Sequence, residues 1–500
     1  MKIVYPTIRL LRSDPDRIAA VDANEKITYG ELEDRIHRDA ERLLGIGVGR
    51  GDRIAVAATN SLEWVSLVHA SARIGAILAP LNTRLSPADL RRLIPRINPS
   101  VLLADAVNAT RLFVGDLDDS IQTIALDTAV AGWGLWSDAT EASAAVPESV
   151  ELDDICTIVA TSGSSGDPKL VALSYGNLYF SAIASAINLG HRPTDRWLIN
   201  LPLYHVGGLS IIHRAAVSGF SVYMDYRFDS DRLLDVISKN EITHLSVVGT
   251  MLTRVLDSHR GMPCPGSVRA ILVGGAATDP RFILSARAAG YPVLTTYGMS
   301  ETASQAATQS PSIPDQPVNA ARPLPLCNVD IRHETGTSCA RGEAGSICVG
   351  GPMVAAGYWQ TDGTVTPLLE DGWFVTEDLG VLDDQGLLHV LGRRDDVIIS
   401  GGENVSLREI ENTAILCPGV RRVAALAVED DQWGQSSALF VEAVDAIDAE
   451  TILTFLREHI AHYKLPKHIV VTDKLPTTAL DKIDRSALAV RLAHQSGQQS

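Results

Sequence analysis

Three short apolar runs, at 155–160, 269–273 and 293–297, are each followed by glycine and then by a helical pattern of apolar residues. Runs of this length bounded by glycine read as buried strands, and strands alternating with helices build an α/β sheet. In such sheets ligands bind beyond the carboxyl ends of the strands. The segments after 160, 273 and 297 are therefore where function is expected.

The first hundred residues follow the same grammar. Thr28-Tyr29-Gly30-Glu31 has the spacing of a capping box, and Leu32, Ile36, Leu43 and Leu44 continue it as an apolar stripe. Arg53–Ala58 reads as a strand, 62–77 as a helix, and Ser86-Pro87-Ala88-Asp89 opens another helix with proline in its first position. After about residue 325 the helical periods fade. Short strands then alternate with turns at Gly342, Gly345, Gly357, Asp371-Gly372 and Gln385-Gly386. From about 396 the pattern changes again: 420–428 and 438–444 read as strands, 449–463 as an amphipathic helix and 467–472 as a strand.

A chain of 500 residues exceeds what one core of roughly 250–300 residues can organise. The expected architecture is α/β. A large N-terminal domain, 1–394, consists of α/β subdomains plus a small β subdomain at about 325–394, and a small mobile α+β domain follows at 395–500.

The hydrophobic share of 46% excludes a disordered chain. With 43 Lys and Arg against 60 Asp and Glu the net charge is −17, which repels phosphodiester backbones and anionic lipid, so nucleic acid is excluded as a general partner. Six cysteines are scattered without C-x-x-C spacing, which argues against a zinc site or a disulfide framework and predicts reduced, buried thiols. The start, Met1 to Pro6 followed by Arg9, Arg12 and Asp14, has no apolar signal segment, and a cytoplasmic location is expected. Trp197–Ile212 carries no Asp, Glu, Lys or Arg, but it is shorter than the ~20 residues of a membrane helix. With Pro202 and His205 inside it, it reads as core beside a pocket, and no integral membrane segment is expected.

The run Thr161, Ser162, Gly163, Ser164, Ser165, Gly166, Asp167, Pro168, Lys169 follows the strand at 155–160. Glycines let backbone N–H groups approach an anion, hydroxyls add donors and a lysine adds a point charge. The loop is not a Walker A loop, because Asp167 and Pro168 separate Lys169 from Gly166. Taken alone, it is either a phosphate cradle or a flexible surface turn.

Four further blocks accompany it in order: Tyr297-Gly298-Met299-Ser300-Glu301-Thr302, Gly372 to Asp378, Gly392-Arg393-Arg394-Asp395-Asp396, and Leu475-Pro476 leading to Lys482. Together these resemble the superfamily of acyl-CoA synthetases, luciferases and peptide-synthetase adenylation domains over nearly the whole chain. The resemblance implies an acid–thiol ligase that uses ATP, Mg²⁺ and CoA through an acyl-adenylate.

It also implies site roles. Thr161 to Gly166, Lys169, Gly275, Ala276, Tyr297, Ser300, Asp378 and Arg393 would bind ATP, and Glu301 with Thr161 would hold the metal. Lys482, Glu301 and Lys169 would be catalytic, Asp395 a hinge, and Gly401 and Gly402 the lining of the CoA arm. The chemistry agrees with the residue types: a carboxylate suits a hard cation, and an ionised Asp378 accepts from both ribose hydroxyls. Two departures from the family pattern stand out, Asp481 before Lys482 and Leu170 after Lys169.

Leu201 to Arg214 and Gly298 to Gln305 resemble the o-succinylbenzoate-CoA ligase branch of this superfamily, which serves menaquinone and phylloquinone synthesis. Such a dicarboxylate needs an anion-binding pocket, for which His205, Ser210, Arg214, Gly298 and Gln305 are the candidates; Arg214 is the natural bidentate donor. Other readings are a CoA ligase for another aromatic or medium-chain acid, an enzyme loading a carrier-protein thiol, or a nucleotide-binding regulator. The expected partner is a small carboxylic acid, and a homodimer stays open.

Overall fold

The structure is a computed structural model describing residues 1–112, 117–118, 120–161, 168–226, 228–259, 261–275, 278, 280–313, 316–394, 397–400, 403–430, 434–444, 447–460, 462–477 and 483–496. The capping box forms as its spacing predicts. Thr28 Oγ1 accepts from Glu31 N at 3.2 Å, and the Glu31 carboxylate accepts from Thr28 N at 2.8 Å. This starts the helix Tyr29–Gly45, whose apolar stripe buries Leu32, Ile36 and Leu43.

Two sheets organise the large unit. In the first, Arg53–Ala57, Ile77–Pro80, Val101–Ala104 and Gln122–Ala125 run parallel. In the second, the parallel strands are Ile18–Val21, Ser221–Met224, Arg196–Ile199, His244–Val247, Ala270–Val273 and Val293–Tyr297. Helices between the sheets share one core, in which Trp64, Val56, Trp197, Ile199 and Leu209 meet. The chargeless stretch from Trp197 thus supplies a core strand, Arg196–Ile199, and the start of a buried helix, Val206–Ser218.

The expected helix at 62–77 ends earlier, at Arg73. Gly75 adopts φ +74° there, and the chain enters the strand Ile77–Pro80. Two of the three strand–glycine–helix readings also change. Only Ala270–Val273 is followed by a helix as its next regular element, Pro280–Ala288. Ile155–Thr161 pairs back on Lys169–Ser174 as an antiparallel hairpin. Val293–Tyr297 likewise pairs with Ala307–Thr308 after a 3₁₀ turn at Ser300–Thr302. The reversal depends on Gly298, where a Cβ would lie 2.0 Å from the Ser304 carbonyl oxygen.

The β subdomain continues the second sheet through Ala320–Pro323, Leu388–Arg393, Phe374–Leu382, Ala344–Gly350 and Asn328–Arg332. Gly357–Trp359 crosses over to pair with Lys169–Ser174. This pairing satisfies edges that would otherwise be exposed, and it brings residue 358 beside residue 169. Val397–Ser400, Glu403–Ser406, Val420–Asp430, Gly434–Ala443 and His468–Thr472 build a separate sheet. A second core there includes Ile398, Ile410, Leu439 and Leu456. The helix expected at 449–463 spans Ala449–His459, with a 3₁₀ turn at His462–Lys464.

All six cysteines are free; Cys156, Cys327, Cys348 and Cys417 are buried, but Cys264 and Cys339 are only half-buried. Among the described residues no helix is long and apolar enough to cross a membrane.

Candidate functional site

A cleft of about 1650 Å³ opens where the two sheets, the β subdomain and the helix Leu407–Ala414 meet. Thr161, Lys169, Gly275, Tyr297, Ser300, Glu301, Asp378 and Arg393 line it, and so do His205, Arg214, Gly298 and Gln305. These positions were singled out from separate blocks, and the strand ends bring them to one space. Ser162, Gly163, Ser164, Ser165, Gly166, Ala276, Asp395, Gly401, Gly402 and Lys482 lie outside the described residues, as do the departure Asp481 and residue Asp167.

One end of the cleft is a ring of charged and phenolic groups. Tyr297 Oη donates to Asp378 Oδ2 at 2.8 Å, and Arg393 Nε lies 3.1 Å from Asp378 Oδ1. Burial, reinforced by the Asp378 carboxylate, pushes the Tyr297 phenol well above its ordinary pKa, so it stays a donor. Asp378 lies in the strand Phe374–Leu382, directly opposite Arg393 in the antiparallel register. Lys169 Nζ donates to Glu377 Oε1 at 2.8 Å and sits 5.6 Å from the centre of the Tyr358 ring. Tyr358 Oη donates to Glu301 Oε1 at 3.0 Å. Thr161 Oγ1 donates to the Lys169 carbonyl at 3.4 Å. Gly275 takes φ +82°, and a Cβ on Gly274 would lie 2.7 Å from Thr296 Cγ2, so the backbone here stays bare. Glu301 offers the hard oxygen a divalent cation takes, with Tyr358 orienting the carboxylate.

The other end differs. Arg214, on the helix Val206–Ser218, is buried at 1% exposure. Its Nη2 donates to Ser304 Oγ at 3.2 Å, and its guanidinium lies 5.3 Å from the centre of the Trp197 ring. No acidic side chain pairs with it among the described residues, and its Nε has no hydrogen-bond partner. Burial lowers its pKa to about 9. Gln305 lines the cleft with neither its amide nitrogen nor its oxygen bonded. Ser304, the hydroxyl partner of Arg214, is held at φ +98° and Ala303 at φ +48°, a strained pair of the kind found at ligand sites.

His205 stands open to the cleft just ahead of the Arg214 helix. Desolvation by the walls, with Arg84 nearby, lowers its pKa, so its imidazole is neutral near pH 7. That suits a wall better than a proton carrier. Ser210 does not line the cleft: it is buried with its hydroxyl unpartnered, on the same helix as Arg214. The sequence reading also missed Tyr358, Trp197, Ser304, Arg408 and Asn412. The last two line the cleft from the smaller unit.

The AMP-binding enzyme family matches residues 9–359, and the AMP-binding enzyme C-terminal domain matches 409–482. The 2-succinylbenzoate–CoA ligase of Bacillus licheniformis is 36% identical over 475 residues, 95% of this chain and 97% of its own. That of Bacillus subtilis is 34% identical over 95% of each chain. Among solved structures, o-succinylbenzoate CoA synthetase from Bacillus subtilis in complex with the acyl-adenylate intermediate OSB-AMP superposes with a TM-score of 0.83 at 32% identity over 98% of each chain. ATP-bound MatB from Rhodopseudomonas palustris gives a TM-score of 0.83 at 30% identity over 97% of this chain and 98% of its own.

Proposed function

The chain belongs to the AMP-binding enzyme family, and from that premise we propose that it joins o-succinylbenzoate to CoA, spending ATP to AMP and diphosphate through an acyl-adenylate. The observation that carries the choice of acid is Arg214: a buried cation with no carboxylate partner among the described residues, aimed with Gln305 into the cleft. A buried charge without a counter-ion is costly. An acid with a second carboxylate supplies that counter-ion and leaves its succinyl carboxylate free to react. The 36% identical relative is named for this substrate.

Asp378 holds the ribose, Arg393 reaches from the ribose to the phosphates, Tyr297 and the bare backbone at Gly274–Gly275 receive the base, and Lys169 faces the phosphates. Glu301 with Thr161 would hold Mg²⁺, whose charge would offset that of the phosphates. The residues' own work is positioning and charge compensation, which supplies most of the rate in phosphoryl and adenylyl transfer. Lys482 neutralises the attacking carboxylate and the α-phosphate in the first half-reaction. On the family resemblance, Asp395 would be the hinge between units 1–394 and 395–500, and Gly401 and Gly402 would line the passage for the thiol. The enzyme works in the cytoplasm, on small molecules and not on nucleic acid.

Purified protein given ATP, Mg²⁺, CoA and a panel of acids should release diphosphate with o-succinylbenzoate far faster than with fatty or cinnamic acids. Release with those acids and none with o-succinylbenzoate would refute the assignment of the acid. No release with any acid, together with Lys482→Ala leaving every ATP-dependent property unchanged, would refute the ligase.

A further inference from the structure

Glu377 is a carboxylate that the proposed chemistry does not use, yet it stands at the centre of the nucleotide end. Its Oε1 accepts from Lys169 Nζ at 2.8 Å and its Oε2 from Arg393 Nη1 at 2.7 Å. The two cations come from places far apart in the chain. Lys169 begins the strand after the phosphate loop, and Arg393 ends the strand that leads to the smaller unit. Glu377 lies between Thr376 and Asp378 in an alternating strand, so those two neighbours are buried while it projects outward into the cleft. Its carboxyl is held below the usual carboxylate range, first by Lys169 and then by Arg393.

The two cations bracketed by one carboxylate are the groups that face phosphate oxygens in the reading above. Each of Glu377's oxygens makes a bond that a phosphate oxygen would make. A nucleotide polyphosphate carries several negative charges, and it cannot engage Lys169 while that lysine is neutralised unless Glu377 gives way or is itself repelled. All three side chains are substantially exposed, at 39% for Lys169, 49% for Glu377 and 61% for Arg393. Exposed pairs of this kind exchange partners readily, because water and salt compete for both charges and each pair is held only weakly.

We infer that Glu377 is a displaceable internal counter-anion: it occupies Lys169 and Arg393 between turnovers, competes with the β- and γ-phosphates for them, and so speeds the departure of diphosphate. It is a positioning residue, acting through the two cations without touching the reacting atoms. The inference rests on the ligase reading, since it requires a nucleoside triphosphate to arrive and diphosphate to leave.

The test is Glu377→Gln in the full chain, which keeps the side chain's shape and removes its charge. Binding of ATP, inorganic diphosphate and AMP is measured by calorimetry at low and at moderate salt. ATP and diphosphate should each bind about three- to tenfold more tightly than to the native enzyme, with the gain shrinking as salt rises. AMP, which lacks the outer phosphates, should change less than twofold. In turnover, KM for ATP should fall with the inhibition constant for diphosphate, while kcat stays level or falls.

Unchanged or weaker binding of ATP and diphosphate to Glu377→Gln would overturn the counter-anion role, as would equal tightening of AMP. If the variant's melting temperature drops, Glu377→Ala is read by the same criteria. Failure of the ligase reading itself looks different: then the native enzyme binds neither ATP nor diphosphate.

Discussion

At the nucleotide end of the cleft Lys169, Glu377, Arg393, Asp378, Tyr297, Tyr358 and Glu301 are partnered through hydrogen bonds of 2.7–3.0 Å and an ion pair of 3.1 Å. At the acid end Arg214 Nε and both polar atoms of Gln305 are buried without partners. Both ends must receive anions, so the contrast lies in how the protein stores cations before the anion arrives. Where the ligand is shared by a whole family and water reaches the groups, the cations are kept in exchangeable pairs. At the acid end a buried cation has, among the described residues, a hydroxyl and an indole face for company. Such a site binds hard when the right anion comes and poorly otherwise, which is how polar sites reject analogues that lack the matching group.

The sharpest way to break this comparison is Arg214→Met. Loss of one partner from a buried charge pair costs several kcal/mol, so kcat/KM for o-succinylbenzoate should fall by about 100-fold or more while ATP affinity stays within about twofold. The native enzyme given the analogue without the ring carboxylate should lose a similar factor, and the variant should lose little more with that analogue. If the two losses multiply instead, Arg214 does not hold that carboxylate. At the opposite end Asp378→Asn should weaken AMP binding by about tenfold, because charge-assisted hydrogen bonds become neutral ones. Acid affinity should be untouched. Cross-effects in either variant would mean that the ends are not independent.

Acidity separates the ends as well. Arg214 is charged below its lowered pKa of about 9 and loses its proton as pH rises through that value. KM for the acid should therefore be flat at neutral pH and rise about fivefold between pH 9 and 10, reaching about tenfold above its neutral value one unit above the pKa. Bound acid raises the pKa in the complex, so kcat should hold to higher pH than kcat/KM. A KM for ATP that rises in the same window would assign the titration to some other group. His205, already neutral near pH 7 because its pKa is lowered, should leave no inflection between pH 7 and 8.

The two ends were also unequally legible in the sequence. Thr161, Lys169 and Tyr297 to Glu301 belong to short blocks that the sequence displays in order, and the strand ends deliver them to one cleft. Glu377 sat unremarked inside a recognised block, because its role depends on Lys169, 208 residues away in the chain. Tyr358 reaches Glu301 only because Gly357–Trp359 pairs with the strand after the phosphate loop, and no periodicity announces such a crossing. Arg214 was legible as a cation but not as an unpaired one, since pairing is a property of the packed interior. The helix readings failed where the chain reverses, at Gly298 and after Thr161. Glycine after a strand signals a turn but not what the turn leads to.

The smallest expected effect concerns stability. An orphaned polar group in a folded interior gives up its water without gaining a bond, which penalises the empty protein. Gln305 carries two such atoms, and methionine fills a similar volume with none of that cost. Gln305→Met should therefore raise the melting temperature by about 1–2 °C in the absence of substrate. Its kcat/KM for o-succinylbenzoate should fall at the same time, by several-fold. The same exchange at Gln309, whose side chain bonds Arg287, Thr295 N and the Pro317 and Ala320 carbonyls, should lower the melting temperature instead. If Gln305→Met destabilised the protein as Gln309→Met does, Gln305 would be part of the scaffold and the acid end would reduce to Arg214 and Ser304. Stability gained against activity lost identifies a residue held unsatisfied for its ligand.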